Sequence, residues 1–430
     1  MTRAPDALPP RRGGAVLPPA ALALVLLLAS LGLVACSGGS DDQRPAATAP
    51  SPSDRIDALL RVRAAAVRDG DRRAFLATVA GGTTLRREQS ALFDRLRALP
   101  LRDYRLRVEP AGVVREGRRF RAVVEETSRL SGFDNASVRS RARYLLVPGP
   151  RSGSLRIAST VDGAWQRRNR VVPQPWSLPG VRVVREGPVL AFLDAASAPV
   201  APTLLGAVRR SIADVAQVVP PPSDGTPWDG LVVVSALADP SLLDAAAPAR
   251  GGEVGSLDGV AYEVPTDATR VGSRVAATRV VLAPRILRAD PVSRDRLLRH
   301  ELTHVALGTR DDRAPLWLQE GLAEWVSTRA LPPGRRTVPA AAIAVARSDP
   351  RALPTLADFA GPAAPAAYAV SWWACQAIVD AAGESTLWSL LDAFRDGSDD
   401  PDGVVRDVVG IAPRWLVARA ARDLVDTYAR

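Results

Sequence analysis

The stretch His300-Glu301-Leu302-Thr303-His304, followed by Pro315-Leu-Trp-Leu-Gln-Glu320-Gly-Leu-Ala-Glu324-Trp-Val326, decides how this chain reads. Its 430 residues contain two histidines, and both are here. Two histidines placed at random would stand four apart roughly once in two hundred trials, so the spacing is informative. On a helix, positions i and i+4 share a face, and both imidazoles reach one metal ion. Glu301 lies about 100° around the helix from His300, where its carboxylate stands beside the ion without displacing a ligand. Zinc lowers the pKa of a bound water towards about 7, and a carboxylate then takes its proton as it attacks a carbonyl.

A catalytic zinc keeps three protein ligands and one open position. No further histidine exists, so the third ligand is a carboxylate or Cys375. The second segment reads as a helix, with Pro315 at its start and Leu318, Leu322, Trp325 and Val326 as an apolar stripe. Glu320 and Glu324 are again i and i+4. Gly308 ends the first helix and residues 309–314 reverse the chain. Helices joined by so short a loop pack side by side, which brings Glu320 towards His300 and His304.

Together these residues resemble the gluzincin metallopeptidases, thermolysin's clan, and especially their peptidase MA-like domains. The resemblance implies His300, His304 and Glu320 as ligands of one zinc per chain, Glu301 as general base, and Glu324 as the carboxylate that orients a ligand imidazole. It implies Tyr368, in Ala-Ala-Tyr368-Ala-Val-Ser-Trp-Trp, as the hydrogen-bond donor to the oxyanion. It also implies Val260, Ala261 and Tyr262 as an edge strand that holds a substrate backbone by strand addition. The Gly-Ala-Met-Glu-Asn element of related aminopeptidases is absent, so no exopeptidase specificity is implied. The plainer readings are Tyr368 as a core tyrosine, Glu324 as a surface charge and a metal site without turnover. Cys375 lies in an apolar helical stretch and reads as a buried, inert thiol.

The first 36 residues point to a cellular address. Arg3, Arg11 and Arg12 precede an apolar run from Ala15 to Ala35 that ends Leu33-Val34-Ala35-Cys36. A basic head and an apolar core make a secretory signal, and the last four residues resemble the lipobox of bacterial lipoproteins. That resemblance implies acylation of Cys36 and a lipid-anchored protein on the extracytoplasmic face of the cell membrane. The alternative is an uncleaved transmembrane anchor. Residues 37–53, rich in Ser, Gly, Ala and Pro, read as a flexible tether. If Cys36 carries lipid, Cys375 has no intrachain disulfide partner.

Charge excludes little. The net charge is +10, and removing residues 1–35, with three arginines and one aspartate, leaves +8. All 56 basic residues are arginine, a sign of coding bias, and no basic stripe interleaved with aromatics occurs. Nucleic acid is therefore not an expected partner; a peptide or protein substrate is, and the oligomeric state stays open.

Between tether and metal motif the pattern predicts an α+β chain in two parts. Residues 54–172 form an accessory domain: helices from Asp54 to Asp69, through Phe75 to Val79 and from about Ser90 to Leu99, then an antiparallel meander at 104–108, 120–124, 141–147 and 155–157. Helices followed by a meander loosely resemble a nuclear-transport-factor-like or cystatin-like fold. Residues 173–180, with their prolines, read as a linker. Residues 181–430 read as the gluzincin-like domain, a mixed α/β upper lobe and a helical lower lobe, with strands at 181–184, 231–235, 259–264 and 279–282, a helix from about Pro199 to Val218, and Trp372, Trp373, Trp388 and Trp415 in the core. The change of pattern at Val181 predicts that residues from about 178 to 430 fold and bind zinc alone. The leading function is a zinc metallopeptidase. The alternatives are a catalytically inactive scaffold or binding lipoprotein of the same fold, and a solute-binding lipoprotein. Retention of Glu301 favours the enzyme.

Overall fold

A computed structural model describes residues 50–222, 225, 227–239, 241–243 and 258–429; Cys36, the apolar run and residues 37–49 lie outside them. The first helix, α1 (Pro52–Asp69), begins two residues earlier than its apolar period suggests. Ser51 and Asp54 form a reciprocal capping box there, and Gly70 closes the helix in the left-handed region at φ 75°. Helices α2 (Arg72–Ala77) and α3 (Thr83–Ala98) follow; α3 starts well before the expected Ser90. They pack on a four-stranded antiparallel meander, β1 (Leu101–Glu116), β2 (Arg119–Leu130), β3 (Val138–Pro148) and β4 (Leu155–Ser159), in the order β1-β2-β3-β4. A short helix, α4 (Gly163–Arg168), comes next.

The second sheet has the order β5-β6-β7-β9-β8: β5 (Arg182–Glu186), β6 (Val189–Leu193), β7 (Val232–Ala236), β8 (Gly259–Pro265) and β9 (Val275–Leu282). Its centre, β6-β7-β9, is parallel, and β5 and β8 are antiparallel edges. The helix α5 (Ala201–Val218) links β6 to β7. Among the described residues, strand β6, Val-Leu-Ala-Phe-Leu, is the one strand that the sequence reading missed. It lacks alternation because both its faces are buried.

The helices of the carboxy-terminal half are α6 (Pro291–Leu307), α7 (Leu316–Arg329), α8 (Ala340–Arg347), α9 (Ala364–Ala382), α10 (Glu384–Ala393), α11 (Pro401–Val409) and α12 (Pro413–Tyr428). Two of the expected core tryptophans, Trp372 and Trp388, are buried, but Trp415 is not. At 59 % exposure it faces solvent, because the buried stripe of α12 runs through Leu416, Val417, Ala420 and Leu424 instead.

The two expected domains do not have separate cores. Val189, Ala191 and Leu193 of β6 pack with the carboxy-terminal helices. Leu190 and Phe192 of the same strand, with Val233 and Val281, pack into the cluster that contains Ile56, Phe75, Leu106 and Ile157 of the amino-terminal module. The proline-rich stretch 173–180 is part of that core: Trp176 is 1 % exposed, lies 5.9 Å from the Phe192 ring and donates from Nε1 to Glu126.

Candidate metal centre

Helix α6 starts at an orthodox cap. Asp290 accepts hydrogen bonds from the N–H groups of Val292 and Ser293, and Pro291 takes the first helical position. Gly308, at φ 57°, stops it. Between these ends the buried residues include Arg299, His300, Glu301 and Thr303 as well as Leu298 and Leu302. A helix that buries ionisable groups departs from the amphipathic rule, and such departures concentrate at functional sites.

Helix α7 lies against α6, tied by a hydrogen bond from Arg299 Nε to the Ser327 carbonyl at 2.8 Å. Glu320 Oε2 sits 3.2 Å from His300 Nε2 and 3.6 Å from His304 Nε2. The donor atoms of the three residues all lie within 4.8 Å of one another. Donors about 2.0–2.1 Å from a tetrahedral zinc stand about 3.4 Å apart, which matches both His–Glu distances. Glu320 Oε2 is moreover buried without a hydrogen-bond donor. An unsatisfied carboxylate oxygen facing two imidazole nitrogens is the environment that a cation resolves. The residues present therefore fit zinc.

The outer groups are placed as well. Glu324, one turn after Glu320, puts Oε1 3.3 Å from His300 Nδ1, while its Oε2 pairs with Arg296. Sequence reasoning missed two members. Asp311, buried in the loop between the helices, has Oδ2 3.6 Å from His304 Nδ1. Nothing in Arg-Asp-Asp-Arg distinguishes it from its neighbours. Arg296, in contrast, was legible: it stands four residues before His300, on the same helix face.

The electrostatics follow from burial opposed by pairing. In the metal-free site, burial disfavours charge on His300, but Glu320 and Glu324 overcome this and raise its pKa to about 9. His304 is likewise raised well above the usual imidazole range, burial being outweighed by Asp311 and Glu320. Burial opposes ionisation of Glu324, yet His300 and Arg296 hold it down at about 2; Glu320 is pulled below the usual carboxylate range by the two imidazoles. Glu301 moves the other way. Burial raises it, with Glu320 adding repulsion, against the lowering effect of the two histidines and the Ala261 N–H.

The remaining sequence-identified residues meet in the same cleft. Val260, Ala261, Tyr262, Glu301 and Tyr368 all line it. Ala261 N–H donates to Glu301 Oε2 at 2.6 Å. That bond points away from β9, so by the two-residue period the N–H and C=O groups of Gly259, Ala261 and Glu263 line the open edge of β8. The Tyr368 ring lies 6.0 Å from that of His300 and 5.1 Å from Phe359. Burial and the charges of Glu320, Glu301 and Glu324 raise its phenol above the ordinary tyrosine range, so it remains a proton donor.

Tyr368 is there because two helices approach closely. A Cβ on Gly321 of α7 would stand 2.6 Å from the Ser371 carbonyl and 2.8 Å from Cys375 Sγ on α9. Cys375, which the sequence left open as a third ligand, fills this contact. It is fully buried, and burial pushes its thiol up, out of the thiolate range. Comparison with protein-family models gives no match for this chain, and comparison with curated proteins gives none either.

Proposed function

We propose that this protein is a zinc metallopeptidase of gluzincin type. The observation that carries the reading is the convergence of His300, His304 and an unsatisfied Glu320 oxygen beside Glu301, in a cleft bordered by an open strand edge. Zinc, when bound, supplies Lewis acidity that polarises a carbonyl and makes water nucleophilic near neutral pH. Glu301 takes the proton of the attacking water and passes it to the leaving amine. Tyr368 donates to the substrate carbonyl oxygen as that atom gains charge. Glu324 and Asp311 face the outer nitrogens of the two imidazoles at 3.3 and 3.6 Å and would orient the rings once zinc is bound. The outer edge of β8, beside the Ala261–Glu301 bond, takes a peptide backbone as an added strand. Retention of Glu301, which metal binding alone does not require, favours turnover over a scaffold.

Glu301→Gln separates these readings. The variant retains about one zinc per chain, because this carboxylate is not a ligand, while hydrolysis of a peptide library falls by about a thousandfold or more. Cleavage at the parent rate would remove the proposed mechanism.

We propose also that Cys36 is acylated and holds the protein on the extracytoplasmic face of the cell membrane. The Leu-Val-Ala-Cys stretch after an apolar run supports this, and two acyl chains suffice for stable attachment. Among the described residues no helix is long and apolar enough to cross a membrane. Labelled fatty acid enters the parent chain and not Cys36→Ser; equal labelling of both would overturn the assignment.

A further inference from the structure

We infer that the amino-terminal module is part of the peptidase apparatus: its β2–β3 loop, through the buried Asp134–Arg279 pair, holds the β8–β9 hairpin where Ala261 meets Glu301. The inference rests on the peptidase reading for its kinetic consequence, but its structural content stands apart from it.

Arg279 is on β9 and 2 % exposed. Its Nη2 donates to Asp134 Oδ1 at 3.1 Å, its Nη1 to Gln174 at 3.1 Å, and its guanidinium lies 5.8 Å from the Trp176 ring. Asp134 is fixed in turn, because its Oδ2 accepts from Leu130 N–H at 2.7 Å. In the hairpin, Arg279 pairs directly with Tyr262 of β8. One residue along the same strand, the Ala261 N–H points out of the open edge of β8 and binds Glu301. The hairpin is therefore held on one face by the amino-terminal module and meets Glu301 at its open edge.

Three further contacts make the hold continuous. Asn135 N–H donates to the Ala276 carbonyl at 2.7 Å, and Arg139 N–H to the Thr266 carbonyl at 2.9 Å, just beyond the end of β8. Val138 packs with Val264, Ala276 and Ala277 in a small apolar cluster of its own. A substrate-binding edge lacks a neighbour on its open side, so its position depends on the side that is covered. Here that cover comes from a segment about 130 residues away in sequence from β8, and it is anchored by charges that the interior tolerates only as a pair. Asp134 and Arg279 are positioning residues, and neither lines the cleft.

The test is made in the whole chain. Asp134→Ala leaves Arg279 buried and unpaired and risks unfolding, so the deciding variant removes both charges: Asp134→Leu with Arg279→Met, which keeps the site filled. Amide hydrogen exchange and peptide hydrolysis are measured together. Exchange across residues 259–264 is expected to quicken at least tenfold while residues 189–193 stay protected. KM for peptides is expected to rise about tenfold or more, with a smaller change in kcat and an unchanged zinc content. Parent-like exchange across 259–264 would overturn the inference. So would faster exchange there with KM unaltered. If the parent chain cleaves no peptide, the peptidase reading fails, and hydrogen exchange alone decides whether the module holds the hairpin.

Discussion

At the scale of single residues, a cation and protons compete for the proposed zinc ligands. His300 is raised to about 9 in the metal-free site, where burial is outweighed by Glu320 and Glu324. A histidine whose folded pKa exceeds its unfolded value stabilises the fold fully below about 6.5. That stabilisation is lost as pH rises through about 9. Zinc requires the neutral imidazole, so its affinity runs the opposite way and rises with pH, by about tenfold per pH unit for each proton displaced. The rise in melting temperature on adding zinc is therefore expected to be larger at pH 8.5 than at pH 6. Calorimetry across that range checks it, and a zinc effect independent of pH would mean that the histidines do not carry these protons.

At the scale of elements, the contact between α7 and α9 sets where Tyr368 stands. Gly321→Ala places a methyl group against the Ser371 carbonyl and Cys375 Sγ. Backbone on one side cannot yield, so α9 must move, at a cost of about 1–3 kcal/mol. The proposed ligands lie on α6 and α7, so zinc binding is expected to survive while turnover falls. Tyr368→Phe is the reference: it gives a kinetic loss of about a hundredfold without the drop in melting temperature. If Tyr368→Phe keeps full activity, Tyr368 has no part in the reaction; if Gly321→Ala does, the α7–α9 contact does not set its position. This contact shows the limit of sequence reading at this scale. Glu-Gly-Leu-Ala-Glu marks a helix and its polar face, but the need for glycine is visible only when the partner helix is in place.

At the scale of the whole molecule, the second sheet is buried on both faces, and the amino-terminal module supplies one of the covers. Residues 181–430 alone would expose Leu190, Phe192, Val233, Leu237 and Val281, forfeiting about 10 kcal/mol of apolar burial. That fragment is expected to be insoluble or to bind hydrophobic dye, whereas residues 50–430 melt cooperatively; a soluble fragment with a parent-like transition would show a self-sufficient half. The sequence suggested independence because a run of prolines and a change of period look like a boundary, and local pattern carries no record of which distant face a strand covers. By itself the sequence determined what depends on spacing along one or two adjacent helices. His300, Glu301, His304, Glu320 and Glu324 follow from helical periodicity and a short reversal, because i and i+4 share a face whatever surrounds them. The meander follows likewise from alternation and turn residues, whereas the edge strand at 259–264 was implied by the family resemblance. Only tertiary structure decided the rest. Asp311 beside His304, the outward-facing Trp415, Trp176 sealed between two sheets and the Asp134–Arg279 pair all join segments far apart in the chain, or depend on which side of an element the core happens to lie. Such choices are made by packing over the whole molecule, and no local period encodes them.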